Sequence, residues 1–127
     1  MDAIARWHDY VVRREPGLLE ALIAEGAVFQ SPAVHAPQEG KAVTIKYLTA
    51  AMVVLGTDSF RYLGEWIGES SAVLEFEAEV DGLIVNGVDL IWWDETGRIT
   101  RFKVMVRPLK ALHAVIERMR AELMRAG

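Results

Sequence analysis

The sequence predicts one α+β domain in which helices pack on an antiparallel sheet. Apolar residues recur at helical spacing in the first half of the chain, and the second half changes to alternation between apolar and polar residues. Helical spacing returns at the end. Helices, then a run of strands, then one helix is an order typical of the α+β class. The length of 127 residues fits a single domain over 1–127.

Helical spacing covers 2–14, and Pro16 both ends this helix and can open a short second one. A short strand over 27–29 follows. The segment 31–40 contains two prolines and a glycine and is predicted to be a loop. A further helix is predicted over 41–55, with a glycine directly after it as a stop signal.

The second half of the chain reads as a meander of four strands. Alternation in the first of them places Phe60, Tyr62 and Trp66 on one side. Asp81-Gly82 is a two-residue hairpin signal, and Glu95-Thr96 forms a second tight turn. The strands are predicted over 59–67, 72–80, 83–94 and 98–107, and Pro108 opens a last amphipathic helix.

The two turns fix a register that isolates one acid. If Asp81-Gly82 is a two-residue loop, Leu74 faces Asp89, and the second turn then places Asp89 opposite Phe102. Directly opposed residues share a face of the sheet. Asp89 therefore lies on an apolar face together with Leu74, Phe76, Ala78, Ile91, Trp93, Phe102 and Val104.

A carboxyl on an apolar face permits two interpretations. A buried, unpaired carboxylate is costly, so Asp89 either finds donors or stays protonated. A protonated Asp can donate a hydrogen bond to a developing oxyanion, which indicates a functional site. In the alternative, Asp89 accepts from a backbone N–H or from a Tyr or Trp and only orders the sheet. A register slip of one residue would move Asp89 to the other face.

The opposite face of the sheet is charged, with apolar residues among the charges. Glutamates two apart on one strand point the same way without converging, so a metal site is not expected there. The apolar members favour a homodimer through this outer face. The face holds Glu75, Glu77, Glu79, Arg101, Lys103, Val88, Leu90 and Trp92.

Composition narrows the classes of function. The chain has no cysteine, which excludes thiol catalysis, cysteine zinc sites and disulfides. A net charge of −4 without a Lys/Arg run argues against nucleic acid as a partner. Apolar runs fall short of the ~20 residues of a membrane span, and no signal peptide is evident. We expect a cytoplasmic protein with no metal, no cofactor and no membrane partner.

Three segments carry a resemblance to a known family, namely 28–32 (VFQSP), 38–41 (QEGK) and 86–99 (NGVDLIWWDETGRI). In these the chain resembles the nuclear transport factor 2-like (NTF2-like) superfamily, and within it the small SnoaL-like bacterial proteins. The resemblance implies a cone, in which a strongly bent sheet wraps a pocket that the N-terminal helices cap. Many members are dimers.

Resemblance to ketosteroid isomerase, a member of this family, implies roles for three positions. Asp89 matches the oxyanion-hole Asp and Trp7 the oxyanion-hole Tyr. The general base, an Asp directly before a Pro, falls on Ser31, and a neutral Ser is a poor base without an activating partner. Limonene epoxide hydrolase and SnoaL-type cyclases use an acid near Val104, which cannot supply one. His35, in the loop after Ser31, is the remaining candidate base.

The sequence thus leads to a pocket for a small, mostly apolar molecule with one polar handle. Asp89 and His35 are the candidate catalytic residues, for proton transfer beside a carbonyl in an isomerase, dehydratase or cyclase. The alternative is a non-catalytic dimeric or protein-binding module, whose cone would be closed by side chains. The expected ligand-binding residues are Trp7, Ser31, Leu74, Phe76, Ile91, Trp93, Phe102 and Val104.

Overall fold

The computed structural model describes residues 2–126 as four helices and one six-stranded curved sheet. The α+β class is therefore confirmed. The helices are α1 (Ala3–Arg13), α2 (Pro16–Leu22), α3 (Lys41–Leu55) and α4 (Leu109–Arg125). The strands are β1 (Ile23–Gln30), β2 (Gln38–Glu39), β3 (Arg61–Ile67), β4 (Ser71–Val80), β5 (Leu83–Trp93) and β6 (Ile99–Arg107).

The sheet is mixed, with strand order β2-β1-β6-β5-β4-β3. Neighbouring strands are antiparallel except β1 and β6, which pair in parallel. After β1 the chain crosses through α3 to the far edge and returns by the meander β3 to β6, which brings its last strand beside β1. The predicted short strand over 27–29 is longer at both ends, and the predicted loop contains the two-residue strand β2.

The register around Asp89 is confirmed on one side and wrong on the other. The Asp81-Gly82 turn pairs Val80 with Leu83, and Leu74 faces Asp89 as predicted. Across β6, however, Asp89 faces Val104 and not Phe102. The second hairpin has a three-residue loop, and the ladder shifts once more between Trp92 and Trp93. Each shift changes the partner of Asp89 by one residue, so together they change it from Phe102 to Val104. Because side chains alternate between the two faces with a period of two, Asp89 stays on the predicted face.

The loop length follows from Gly97. Its φ of 80° is a left-handed conformation that closes a three-residue hairpin loop. The N–H of Gly97 donates to the Asp94 carbonyl at 2.9 Å, and the Asp94 N–H donates to the Arg98 carbonyl at 3.0 Å. The Asp94 carboxylate caps the turn by accepting from the Thr96 N–H and hydroxyl.

Trp66 does not share a face with Tyr62, contrary to the alternation expected for β3. The β3–β4 register shifts between Tyr62 and Gly64, which is a β-bulge. Tyr62 faces Phe76 on the inner face, whereas Trp66 faces Val73 on the outer face and is 61 % exposed. The bulge therefore separates an inner-face tyrosine from a surface tryptophan.

The helices cover the inner face of the sheet and leave the outer face open. Helix α1 begins at Asp2, whose carboxylate accepts from the Ala5 N–H at 2.8 Å, and it buries Ile4, Trp7 and Tyr10. Helix α4 follows Pro108 as predicted, and α3 ends at Gly56. Within residues 2–126, none of the helices combines the length and apolar character of a membrane span.

Gly87 is required by the close approach of Phe76. A Cβ at Gly87 would lie 2.5 Å from Phe76 Cζ and 2.5 Å from the Met105 carbonyl oxygen. Gly87→Ala is therefore expected to lower the free energy of unfolding by about 1–3 kcal/mol, measured by urea denaturation. In the matched control, Gly17→Ala, the added methyl meets nothing within 4 Å. Equal stabilities of the two variants would contradict this packing.

Candidate functional site

A cavity of about 280 Å³ lies between the inner face of the sheet and helices α1, α3 and α4. Strands β1, β4, β5 and β6 supply its floor, and the loop after β1 together with α4 supplies its rim. Its lining is mostly aromatic and aliphatic, as is usual for small-molecule sites. The lining includes Trp7, Phe29, Ser31, Val34, Tyr47, Phe60, Phe76, Asp89, Phe102, Val104 and Arg120.

Asp89 is the only carboxylic acid among the described residues that line this cavity. Strand alternation on β5 turns it inward between Gly87 and Ile91, and the residue is 6 % exposed. Its cross-strand neighbours Leu74 and Val104 are apolar. The strand geometry thus holds one ionisable group in an apolar surrounding.

A chain of two hydrogen bonds connects α1 to this acid. The indole N–H of Trp7 donates to the Tyr62 hydroxyl oxygen at 2.8 Å. The Tyr62 hydroxyl donates to Asp89 Oδ2 at 2.7 Å. Trp7 can only donate, so the direction of the chain is fixed and both hydrogen atoms point toward Asp89.

Burial raises the pKa of Asp89 to about 7, and the hydrogen bond from Tyr62 opposes part of this rise. Burial also raises the pKa of Tyr62 well above its ordinary value, and the neighbouring Asp89 raises it further. Tyr62 therefore stays protonated and remains a donor. Asp89 exchanges its proton close to neutral pH.

The second oxygen of Asp89 is available to the cavity. No residue within 2–126 donates a hydrogen bond to Oδ1, whereas Oδ2 is occupied by Tyr62. When Asp89 is protonated, Oδ1–H can donate to a carbonyl oxygen, and when it is ionised, Oδ1 can accept from a hydroxyl. Either form offers one polar contact inside an otherwise apolar space.

The structure brings together most, but not all, of the residues expected at this site. Six line the cavity, namely Trp7, Ser31, Phe76, Asp89, Phe102 and Val104. Leu74 and Ile91 are fully buried in the core and do not reach its surface. Trp93 packs against the core outside the lining. His35 lies exposed in the loop after β1 and is not among the lining residues.

Tyr62 is the functional residue that sequence reasoning did not assign. The alternation on β3 placed it on the apolar side, and a Tyr or Trp donor to Asp89 was one of the two interpretations of that acid. The partner itself depends on the pairing of β3 with β4 at the sheet edge, which no turn signal specifies. Tyr47 and Arg120 also line the cavity and come from α3 and α4.

Tyr62→Phe tests the hydrogen-bond chain. The change leaves the Trp7 indole N–H without its acceptor, and Trp7 is only 1 % exposed. We expect a loss of about 1–3 kcal/mol in the free energy of unfolding. We also expect a pKa of Asp89 above its wild-type value, because the donor that favours the carboxylate is gone.

The matched control for this change is Tyr47→Phe. The Tyr47 ring stacks on Phe29 with centroids 5.1 Å apart, and its hydroxyl bonds to no residue within 2–126. Urea denaturation and carboxyl NMR of both variants measure the two effects. An equal loss of stability in both, with an unchanged Asp89 pKa, would contradict the chain.

Solved structures resemble this chain over most of its length. No protein-family model and no curated protein matches the chain. Among solved structures, it is 36 % identical to a steroid delta-isomerase from Pseudomonas aeruginosa, over 98 % of this chain and 90 % of that one, with a TM-score of 0.91. An uncharacterised cystatin-like-fold protein from Silicibacter pomeroyi DSS-3 is 32 % identical, over 96 % and 85 % of the two chains, with a TM-score of 0.87.

A less similar solved structure with the same fold is described as NTF2-like. An NTF2-like protein from Mesorhizobium loti, of unknown function, is 21 % identical over 84 % of this chain and 88 % of its own, with a TM-score of 0.71. An identity of 21 % shows only that the fold is similar, whereas the 36 % identity to the isomerase is high enough to show common membership of a family. The chain belongs to the NTF2-like superfamily, the group of isomerases and SnoaL-like proteins that its sequence resembles.

Proposed function

We propose that the protein binds a small, mostly apolar molecule in the cavity and holds one oxygen atom of that molecule through Asp89. The observation that carries this proposal is that Asp89 lines the cavity with Oδ2 bonded to Tyr62, while no residue within 2–126 bonds to Oδ1. A ligand oxygen could pair with Oδ1, as the acceptor of its proton when Asp89 is protonated. The aromatic lining supplies contact area for a planar body.

The volume of the cavity supports a small ligand over a protein partner. A cone closed by side chains would favour the non-catalytic module, but a space of about 280 Å³ remains beside Trp7, Phe76 and Phe102. That volume is near the lower end of the roughly 300–1,000 Å³ found for ligand sites. A homodimer through the outer face of the sheet is compatible with this role and stays a prediction.

Proton transfer beside a carbonyl is the second candidate function. Two observations favour it, the pKa of Asp89 at about 7 and the similarity to a steroid delta-isomerase. A group with this pKa donates and accepts protons at neutral pH. The lining offers no second carboxylate within the described residues, and Ser31 stands where the resemblance places the base. Isomerase-like turnover by the wild-type protein is therefore expected to be slow.

A pair of matched probes tests the binding proposal. Acetonaphthone carries a carbonyl oxygen, and isopropenylnaphthalene has the same shape with a methylene group in place of that oxygen. Wild-type protein is expected to prefer the ketone roughly tenfold at pH 6, in fluorescence titrations. The preference should decline as the pH rises through about 7, because ionised Asp89 can no longer donate.

Two variants of Asp89 assign the preference to its side chain. Asp89→Leu removes every polar atom and should abolish the preference for the ketone. Asp89→Asn keeps an N–H donor and should make the preference independent of pH. Asp58→Asn, at an exposed position, is the control that removes a carboxylate elsewhere. A ketone preference that survives in Asp89→Leu would refute the proposal.

A further inference from the structure

Ser31 lines the same cavity and has its acceptor capacity occupied. Its Oγ accepts from the backbone N–H of Ala33 at 3.2 Å and of Val34 at 3.3 Å. These two bonds form the turn that leads the chain out of β1. A serine hydroxyl has two lone pairs and one hydrogen. Both lone pairs are engaged, whereas the O–H donates to no residue within 2–126.

Ser31 directly follows the last residue of β1, which pairs in parallel with β6. Gln30 pairs with Lys103, so extension of this parallel register by one residue puts Ser31 beside Val104. Val104 in turn faces Asp89 across β6 and β5. Strands are spaced about 4.8 Å apart, so along this extended register the Cα atoms of Ser31 and Asp89 would be about 10 Å apart. The row Ser31–Val104–Asp89 therefore presents a polar group at each end and an apolar side chain in the middle.

We infer that Ser31 forms a second polar subsite, which donates a hydrogen bond to a further acceptor oxygen of the ligand. This inference rests on the proposed function and narrows it to elongated molecules with two oxygen atoms separated by an apolar body. One oxygen contacts Asp89, and the other must be an acceptor, such as a carbonyl or an ether oxygen. A ligand group that can only donate is excluded at Ser31, because both lone pairs of its Oγ already accept hydrogen bonds from backbone N–H groups.

Acetonaphthone and its derivative with a methoxy group on the far ring serve as probes. The ether oxygen accepts a hydrogen bond and cannot donate one. In wild-type protein the methoxy compound is expected to bind about three- to tenfold more tightly than acetonaphthone. Ser31→Ala should abolish this ratio, and Ser31→Thr, which keeps the hydroxyl, should retain it. Because the ratio compares two ligands on one protein, a loss of stability in a variant cancels.

The outcomes separate this inference from the proposal on which it rests. If acetonaphthone binds with dependence on Asp89 but the methoxy group gives no gain, the second subsite is wrong and the first stands. A gain that persists in Ser31→Ala also overturns the subsite. If the binding of both ketones is independent of Asp89, the proposed function is wrong, and the subsite at Ser31 is then wrong as well. A gain that is lost in Ser31→Ala and kept in Ser31→Thr supports it.

Discussion

Replacement of Asp89 by asparagine is expected to stabilise the protein above pH 7 and to leave its stability near pH 4 almost unchanged. Burial raises the pKa of Asp89 from 3.8 to about 7, so the folded protein keeps a proton that the unfolded chain has released. The wild-type contribution to stability is thus fully present below 3.8, declines as the pH rises, and is gone above about 7. The full decline is about 4 kcal/mol at most.

The asparagine side chain has nearly the same shape as that of Asp89 but cannot ionise. Its side-chain oxygen can accept from Tyr62 as Asp89 Oδ2 does. The difference in free energy of unfolding between variant and wild type should therefore grow with pH, to about 2–4 kcal/mol at pH 8. Urea denaturation between pH 4 and pH 9 measures it, with Asp58→Asn as the exposed control. A difference that stays constant over this range would mean that Asp89 is not a buried acid.

Ser31→Asp is expected to raise isomerase activity well above that of the wild-type protein. The resemblance places a general base at this position, in an Asp that directly precedes a Pro, and Pro32 is retained here. An aspartate could accept from the Ala33 and Val34 N–H groups as Ser31 does, and these bonds favour the ionised, basic form. Asp89 in its protonated form would stabilise the developing oxyanion.

The measurement is the conversion of a β,γ-unsaturated cyclohexenone to its conjugated isomer, followed by ultraviolet absorbance. A positioned general base contributes roughly 100- to 10,000-fold, so kcat/KM should rise by that order in Ser31→Asp. Ser31→Asn is the matched control, since it has the same shape and no basic oxygen. Addition of Asp89→Leu to Ser31→Asp should remove the gain. Equal rates in Ser31→Asp and Ser31→Asn would contradict the assigned roles.

The sequence was sufficient for the fold because its strongest signals are local. The period changes from helical to alternating near residue 59, and Asp81-Gly82 is a turn whose loop length is specific. From that turn the opposition of Leu74 and Asp89 follows by counting. The inward orientation of the acid was thus predictable, and the family resemblance supplied the curvature of the sheet.

The errors arise where geometry depends on residues distant in sequence. The extra residue in the Gly97 loop and the bulges in β3 and β6 result from sheet twist and closure, which single-sequence periodicity does not encode. Their effects were unequal. At Asp89 two shifts of one residue add up to two and leave its face unchanged, whereas a single shift moved Trp66 to the surface. His35 is exposed, because only residues 31–34 of its loop line the cavity.

The pKa of Asp89, measured by carboxyl-carbon NMR with Asp89→Asn for assignment, tests the central claim most directly. The claim is that one acid is held in an apolar cavity with its proton poised for a ligand oxygen. The structure predicts a value of about 7, and an increase in Tyr62→Phe. A value at or below the ordinary 3.8 would mean that Asp89 is solvated or paired with a cation, and would contradict the account of the site.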